Sequence, residues 1–580
     1  MQFDTIARPQ SELRLRITAA CREDETACVQ RLLMQARMTP EEVAATQDLA
    51  RQLVTEVRAQ RSGSTGVDAL MQEFSLSSQE GVALMCLAEA LLRIPDKGTA
   101  DRMIRDKLSK GDWRAHLGNS PSLFVNAATW GLLITGKLVT TNSERNLGAA
   151  LTRLITKGGE PVIRRGVDLA MRLLGKQFVT GETIEEALKS AIQREARGYR
   201  FSYDMLGEAA MTEADAQRYY RSYEEAIHAI GRASRGRGIY VGPGISVKLS
   251  ALHPRYARAK HERVMQEVLP RLKSLLLLAK RYDIGLNIDA EEADRLELSL
   301  DLFEDLAFDP DLAGWNGIGI VVQAYQKRCP FVLDYLIDLA RRSQHRFMVR
   351  LVKGAYWDSE IKRAQIDGQA GYPVYTRKVY SDVSYLACAK ELLAAQDAIY
   401  PQFATHNAYS LAAVYQLGQG KDYEFQCLHG MGETLYDQVV GKDKLDRPCR
   451  VYAPVGTHET LLAYLVRRLL ENGANSSFVN RLVDPAVSID ELVTDQVAEA
   501  AQLGGRPFDL IPLPRDLYGD ARRNAKSIDL SSELDLAWLE KGLKASEQAP
   551  WTACPILGDG ERRTGDGAPV SNPADHGDIV

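Results

Sequence analysis

The runs Ile318-Gly-Ile-Val-Val-Gln-Ala324 and Phe347-Met-Val-Arg-Leu-Val-Lys353 are short blocks of β-formers, and between them Phe331 to Arg342 repeats its apolar positions at helical spacing. The same alternation extends in both directions. Upstream lie FSYDML (Phe201–Leu206), GISVKLS (Gly244–Ser250) and IGLNIDA (Ile284–Ala290), separated by amphipathic stretches that include Val264–Tyr282 and Ser299–Phe308. Downstream lie PQFATHN (Pro401–Asn407), YEFQCLH (Tyr423–His429) and CRVYAPV (Cys449–Val455), with Ser384–Ala395 and Ser410–Gly418 between. Eight strands alternating with helices over about 250–300 residues are the pattern of an α/β protein with a (βα)8 TIM-type barrel. Most of the runs are apolar on both faces, as strands buried on both sides should be. A doubly wound open sheet is the rival.

Before the barrel the reading is helical, from Ser11 to about Arg197, with Leu32, Leu33, Ala36, Met38, Leu49, Leu53 and Val54 near helical spacing. The expected division is a helical arm (1–62), a helical subdomain (63–197), the barrel (198–500), a linker (501–550) and a further segment (551–580). The 580 residues carry 72 Lys+Arg against 77 Asp+Glu, a net charge of 72 − 77 = −5, with 45% hydrophobic residues. That balance excludes extensive disorder and gives no basic footprint for DNA. The most apolar stretch, Ser122 to Val139, is interrupted by Asn126 and Lys137 and reads as a buried helix. No secretory signal opens the chain. Eight cysteines without a C-x-x-C suggest reduced thiols in a cytoplasmic protein.

Functional side chains of such a barrel belong at the C-terminal ends of its strands. Those ends carry Asp204, Lys248, Asp289, Gln323, Arg350 with Lys353, His406 with Asn407, His429, and Tyr452. Such groups are costly to bury unpaired, so they read as a polar mouth that binds something; a plug of paired charges is the alternative. Gly317-Ile-Gly319 and Gly236-Arg-Gly238 lack the third glycine of a dinucleotide fingerprint, and no phosphate-binding loop or zincin motif is present. Cys427 and His429 have no third ligand nearby, so no metal site is expected. Beyond the eighth strand, a helix over Glu459–Asn472 carries Arg467 and Arg468, about 100° apart around its axis. Their neighbours Leu461, Leu462, Tyr464, Leu465 and Val466 leave little polar face, and arginine suits bidentate capture of a carboxylate; a solvated charged face is the alternative.

The runs VKLSALHPRY, NIDAEEADRLE, QAYQKRCP, RLVKGAYWDSEIKRAQ, YPVYTRKVYSDVSY, QFATHNA, EFQCLHGMGE and YAPVGTHETLLAYLVRRLLENGANSSFVNR resemble the proline dehydrogenase domain of bacterial proline utilization A, over roughly Ala90 to Ala545. The resemblance implies FAD and the oxidation of L-proline to 1-pyrroline-5-carboxylate, with electrons passed to a quinone. It implies that Arg467, Arg468 and Lys248 supply charge for the proline carboxylate and that Tyr356, Leu428 and Tyr452 wall the ring. Asp289 would orient Lys248, and Glu471 would pair with an arginine of the clamp. Arg350 would sit near flavin N5 and Gln323 at the isoalloxazine edge, with Gly354, Ala355 and Trp357 as a close turn. Thr376, Arg377 and Lys378 would meet the pyrophosphate. Asp204, Met205, Val352, Lys353, Thr405, His406, Asn407, Gln426, Cys427, Glu471, Ser477 and Phe478 would complete the flavin pocket.

The resemblance also implies a transient peripheral contact with the inner membrane, with a homodimer among the possible assemblies. No ribbon-helix-helix opens the chain, so DNA binding is not expected. Cys554 to Val580 resembles the opening of an aldehyde dehydrogenase domain and stops before its nucleophile, so the second oxidation, to glutamate, is not expected of these residues.

Overall fold

A computed structural model of the chain describes residues 7–60, 179–457, 478–547 except 485, and most of 552–579, together with Tyr464, Arg467 and Arg468. Eight parallel strands close into a barrel: β1 (Arg200–Met205), β2 (Gly244–Val247), β3 (Leu286–Ile288), β4 (Ile318–Gln323), β5 (Phe347–Val352), β6 (Ile399–Ala404), β7 (Glu424–Leu428) and β8 (Cys449–Val455). They pair in sequence order, and β8 returns to β1 in the register Phe201↔Val451. The open-sheet rival is thereby excluded.

The helices of the N-terminal arm are α1 (Glu12–Ala20), α2 (Glu25–Gln35) and α3 (Pro40–Gln60), followed by α4 (Ile184–Glu195) before β1. The barrel's own helices are α5 (Glu213–Ser234), α6 (His261–Tyr282), α7 (Leu296–Ala307), α8 (Cys329–Ser343), α9 (Trp357–Ile366), α10 (Lys378–Ala394) and α11 (Ala408–Leu417). After β8 come α12 (Phe478–Val483), α13 (Gln496–Leu503) and α14 (Glu533–Glu547). Local chemistry sets their ends. Thr212 and Asp215 form a reciprocal capping box that starts α5. Arg235, Asp283 and Gln344 end α5, α6 and α8 in the left-handed conformation.

At the end of β6 side chains take over the backbone bonds. The sixth run extends to Asn407, but β6 ends at Ala404. There the Thr405 hydroxyl accepts the Asn407 N–H, and the Asn407 side chain accepts that of Ser410 to cap α11.

Along each strand alternate residues face the barrel axis, as contacts between non-neighbouring strands show. Asn287 on β3 donates to Gln402 on β6, and Arg350 on β5 donates to Ser246 on β2. The outward residues, such as Phe201, Val349, Leu351, Phe403 and Val451, are fully buried under the helices.

The arm lies against the outside of the barrel. α1 packs on α8, α2 on α10, and α3 on α11. Residues 501–547, expected as a linker, run back along the same side: Arg22 meets Asp529, and Glu533 joins Arg8 and Arg258. The greater part of the expected helical subdomain, and the stretch Ser122–Val139, lie outside the described residues. No helix among the described residues is long and apolar enough to cross a membrane.

Candidate functional site

β1, β2, β3, β5 and β8 each bring one polar side chain to the carboxyl end of the barrel. The Lys248 ammonium donates to Asp204 Oδ2 at 2.8 Å, to the Tyr452 oxygen at 3.2 Å and to Asp289 Oδ2 at 3.4 Å. Asp289 also accepts from Tyr452 at 2.6 Å and from Arg350 at 2.8 Å. Arg350 reaches Ser246 at 3.0 Å and lies over the Tyr452 ring at 5.2 Å. Two cations and two carboxylates thus balance in one buried cluster.

Burial pushes the Asp204 carboxyl up, against the downward pull of Lys248. Burial alone would lower Lys248, but Asp204, Tyr452 and Asp289 outweigh it and hold the ammonium protonated well above its ordinary range. Three buried atoms on this wall have no hydrogen-bond partner among the described residues: Asp204 Oδ1, Arg350 Nε and Gln426 Oε1. Buried polar atoms are usually paired, so these mark where the cluster has capacity left over.

The arginine pair approaches this cluster from beyond β8. Arg467 and Arg468 are helical, but most of the Glu459–Asn472 helix, including Glu471, lies outside the described residues, as does Ser477. Arg467 makes a bidentate ion pair with Glu208, at 2.6 and 2.7 Å, and lies 5.0 Å over the Tyr356 ring. Burial would raise Glu208, yet its bond to Arg467 brings it below the usual carboxylate range. Arg468 is buried, with its guanidinium 5.4 Å from the Tyr464 ring.

The expected cofactor residues fall into several groups. Gln323 donates to the Glu291 carbonyl at 2.8 Å. Lys353 pairs with Asp382 and bonds Ser410. Gly354 takes φ +134°, and a Cβ there would strike the Tyr325 ring at 2.4 Å, so only glycine fits this close turn. Ala355 and Tyr356 follow, and Trp357 opens α9 with its indole N–H on the Tyr375 carbonyl. His406 Nε2 accepts the Leu428 N–H at 3.1 Å, which leaves Nδ1 to carry the proton of the neutral ring.

The remaining members lie apart. Met205 and Cys427 stand at outward positions of their strands, Cys427 with its sulfur 3.6 Å from that of Cys449. Thr376 is engaged through both its N–H and its hydroxyl by Glu25 of the arm. Arg377 holds the carbonyls of Arg506 and Pro507, and Lys378 pairs with Asp382. Val352 ends β5, and Phe478 is buried at the start of α12.

Sequence reasoning missed Glu208, Ser202, Ser246 and Glu291. The two serines stand two positions before Asp204 and Lys248, so the period of two along a strand points to them. Glu208 and Glu291 lie in the loops just past β1 and β3, where this fold gathers its polar groups.

A TIM-type barrel with an ionic, incompletely satisfied mouth is the class these features define. Residues 187–481 match the sequence profile described as proline dehydrogenase, and the chain belongs to the proline dehydrogenase family. Residues 11–58 match a profile described as the proline utilization A proline dehydrogenase N-terminal domain. Residues 66–178 match one described as the DNA-binding domain of proline dehydrogenase. That match stands against the expectation of no DNA binding drawn from the charge balance and the opening residues, and the segment lies outside the described residues.

The bifunctional protein PutA of Escherichia coli is 65% identical over 588 residues, spanning 99% of this chain and 44% of that protein. That of Salmonella typhimurium is 64% identical, spanning 100% of this chain and 45% of that protein. A crystal structure of a Bradyrhizobium japonicum proline utilization A mutant, 44% identical, superimposes with a TM-score of 0.71 over 94% of this chain and 54% of the other. The chain thus spans about half the length of the curated relatives it matches.

Proposed function

We propose that the chain is an FAD-dependent proline dehydrogenase that oxidises L-proline to 1-pyrroline-5-carboxylate and passes the electrons to a quinone. The observation that carries this reading is the Lys248–Asp204–Asp289–Arg350–Tyr452 cluster facing the Arg467–Tyr356 stack in a chain of this family. A flavin fits the mouth chemically. Gln426 Oε1 and Arg350 Nε are a buried acceptor and a buried donor left unpaired, and the isoalloxazine edge carries both an N–H and carbonyl oxygens. Bound FAD would supply the acceptor for the hydride leaving the ring carbon beside nitrogen.

The protein's own residues bind and orient. Lys248, Arg467 and Arg468 attract the carboxylate, which must share or displace the Glu208 carboxylate now on Arg467. Tyr356, Leu428 and Tyr452 wall the methylenes. Asp289 steers Lys248 and Arg350 together, since it bonds both. Arg350, held by Asp289 and Ser246, would supply the cation beside a bound flavin. Gly354, Ala355, Trp357, Thr405 to Asn407 and Gln426 would border the same face, whereas Met205 and Cys427, turned outward on their strands, would not. The arm, subdomain, barrel, linker and final segment at the boundaries given above are the divisions we propose.

Quinone reduction requires a transient contact at a membrane surface in the cytoplasm. With a net charge of −5 and no apolar span among the described residues, that contact would be local and weak. The expected result is L-proline-dependent reduction of a soluble quinone analogue, with the cyclic imine as product and little flotation with anionic vesicles. A protein that carries flavin yet forms no imine would overturn the reading.

A further inference from the structure

The arm reaches the site's supporting turns at two places far apart along its length. At the first, Glu25 opens α2, and its Oε1 accepts both the Thr376 N–H at 2.9 Å and the Thr376 hydroxyl at 2.8 Å. Both residues are buried, at 4% and 5% exposure, so the contact is shielded from water. Lys327 stands 3.8 Å from the same carboxylate and donates to the Glu23 carbonyl at 2.9 Å.

From Thr376 the bonds continue into the site without a gap. Tyr375 donates its N–H to the Tyr325 carbonyl and accepts the Trp357 indole N–H on its own carbonyl. Tyr325 donates to the Lys353 carbonyl at 2.7 Å, and its ring fills the space against which Gly354 turns. Lys353 directly follows β5, the strand that carries Arg350. Glu25 is thus three hydrogen bonds from the end of that strand, its own side-chain bond to Thr376 and two backbone bonds through Tyr375 and Tyr325.

At the second place, Arg58 in the last turn of α3 donates to the carbonyls of Leu482 at 3.0 Å, Asp484 at 3.1 Å and Val487 at 2.8 Å. A helix ends with carbonyls that have no partner of their own, and Arg58 serves those at the end of α12. α12 begins at Phe478, a short way beyond Arg467 and Arg468. Gln47, on the same helix, adds a bond to the Val493 carbonyl.

We infer that the N-terminal arm is a positioning element of the site: Glu25 sets the Tyr372–Lys378 turn against the end of β5, and Arg58 sets the segment that follows the arginine pair. This rests on the functional reading above. It assigns the two anchors different consequences. Glu25 acts on cofactor retention, through a turn that supports Trp357 and Gly354. Arg58 acts on proline binding, through the chain that leaves the arginine pair.

The test uses the full chain with FAD bound, with a thermal transition as the folding control. Glu25→Ala should release FAD about tenfold faster, the usual effect of losing a charge-assisted hydrogen bond. Glu25→Gln, which keeps an acceptor, should recover most of that loss. Arg58→Ala should raise KM for L-proline by about tenfold, leave kcat within about threefold and leave FAD release unchanged. Arg58→Lys should recover part of it.

Folded alanine variants with wild-type FAD release and wild-type KM would overturn the inference. Should either alanine variant fail to fold, Glu25→Asp and Arg58→Lys decide, because each withdraws the same contact by a shorter distance; wild-type values in both would overturn it equally. A wild-type chain that binds no FAD would instead remove the functional reading, and this inference with it.

Discussion

The barrel holds two buried ionic layers, one above the other, and they differ in completeness. In the lower layer Glu424 is fully buried and accepts from Arg450 at 2.6 Å, Gln402 at 2.8 Å, and Arg200 and Gln426 at 3.0 Å. Burial would raise its carboxyl, but Arg450 and its other partners bring it below the usual range. In the upper layer Asp204 is buried as completely, has one cation, keeps an oxygen without a partner, and has its carboxyl pushed up. The same fold and the same burial give opposite shifts. A completed network holds strands together, whereas an incomplete one keeps capacity for a ligand.

The largest expected effect falls on the lower layer. Glu424→Ala strands Arg450 and Arg200 in the barrel and should cost about 3–5 kcal/mol of stability by chemical denaturation. A loss below about 1 kcal/mol would erase the distinction between the layers.

Next comes pH. Glu291, in the loop past β3, accepts from the Ser250 N–H and hydroxyl beside the site, and burial pushes its carboxyl up to about 7. Its unfolded value is about 4.3, so between those values the folded state binds the extra proton. Stability from this group is therefore fully present below about 4.3 and is lost as pH rises from there through about 7, by about 4 kcal/mol in all. Glu291→Gln should then stabilise the protein at pH 8 and make little difference at pH 4. Glu424, with its lowered value, runs the other way: its contribution is lost only as the medium becomes strongly acid.

A smaller effect is expected at the arginine pair. Arg467→Met should weaken apparent proline affinity about ten- to a hundredfold, the worth of a charge-assisted bond, and leave flavin content unchanged. Unchanged proline kinetics would remove the clamp. Smallest of all is the exposed pair Arg341–Asp397, 2.9 Å apart. Arg341→Ala should leave the denaturation midpoint unchanged within error, because water screens both partners.

Much of the barrel was legible because strand and helix periods are local. β8 begins and ends where its run does, and β4 stops one residue short of its own. The Lys248, Asp289, Arg350 and Tyr452 cluster followed from one rule about strand ends. Its pairing did not. That Asp204 is the nearest partner of Lys248, that Ser246 holds Arg350, and that Glu208 meets Arg467 depend on closure of the barrel and the fold of its loops. Thr376 with Glu25 is the extreme case, a contact between residues 351 positions apart that no periodicity announces.

The most direct test is the visible spectrum of the purified chain under anaerobic titration with L-proline. The protein should be yellow, and its flavin bands should bleach in wild type and in Arg341→Ala, with Arg467→Met needing far more proline. A yellow protein whose bands stay unchanged at saturating L-proline would contradict the assignment of the barrel mouth to proline oxidation.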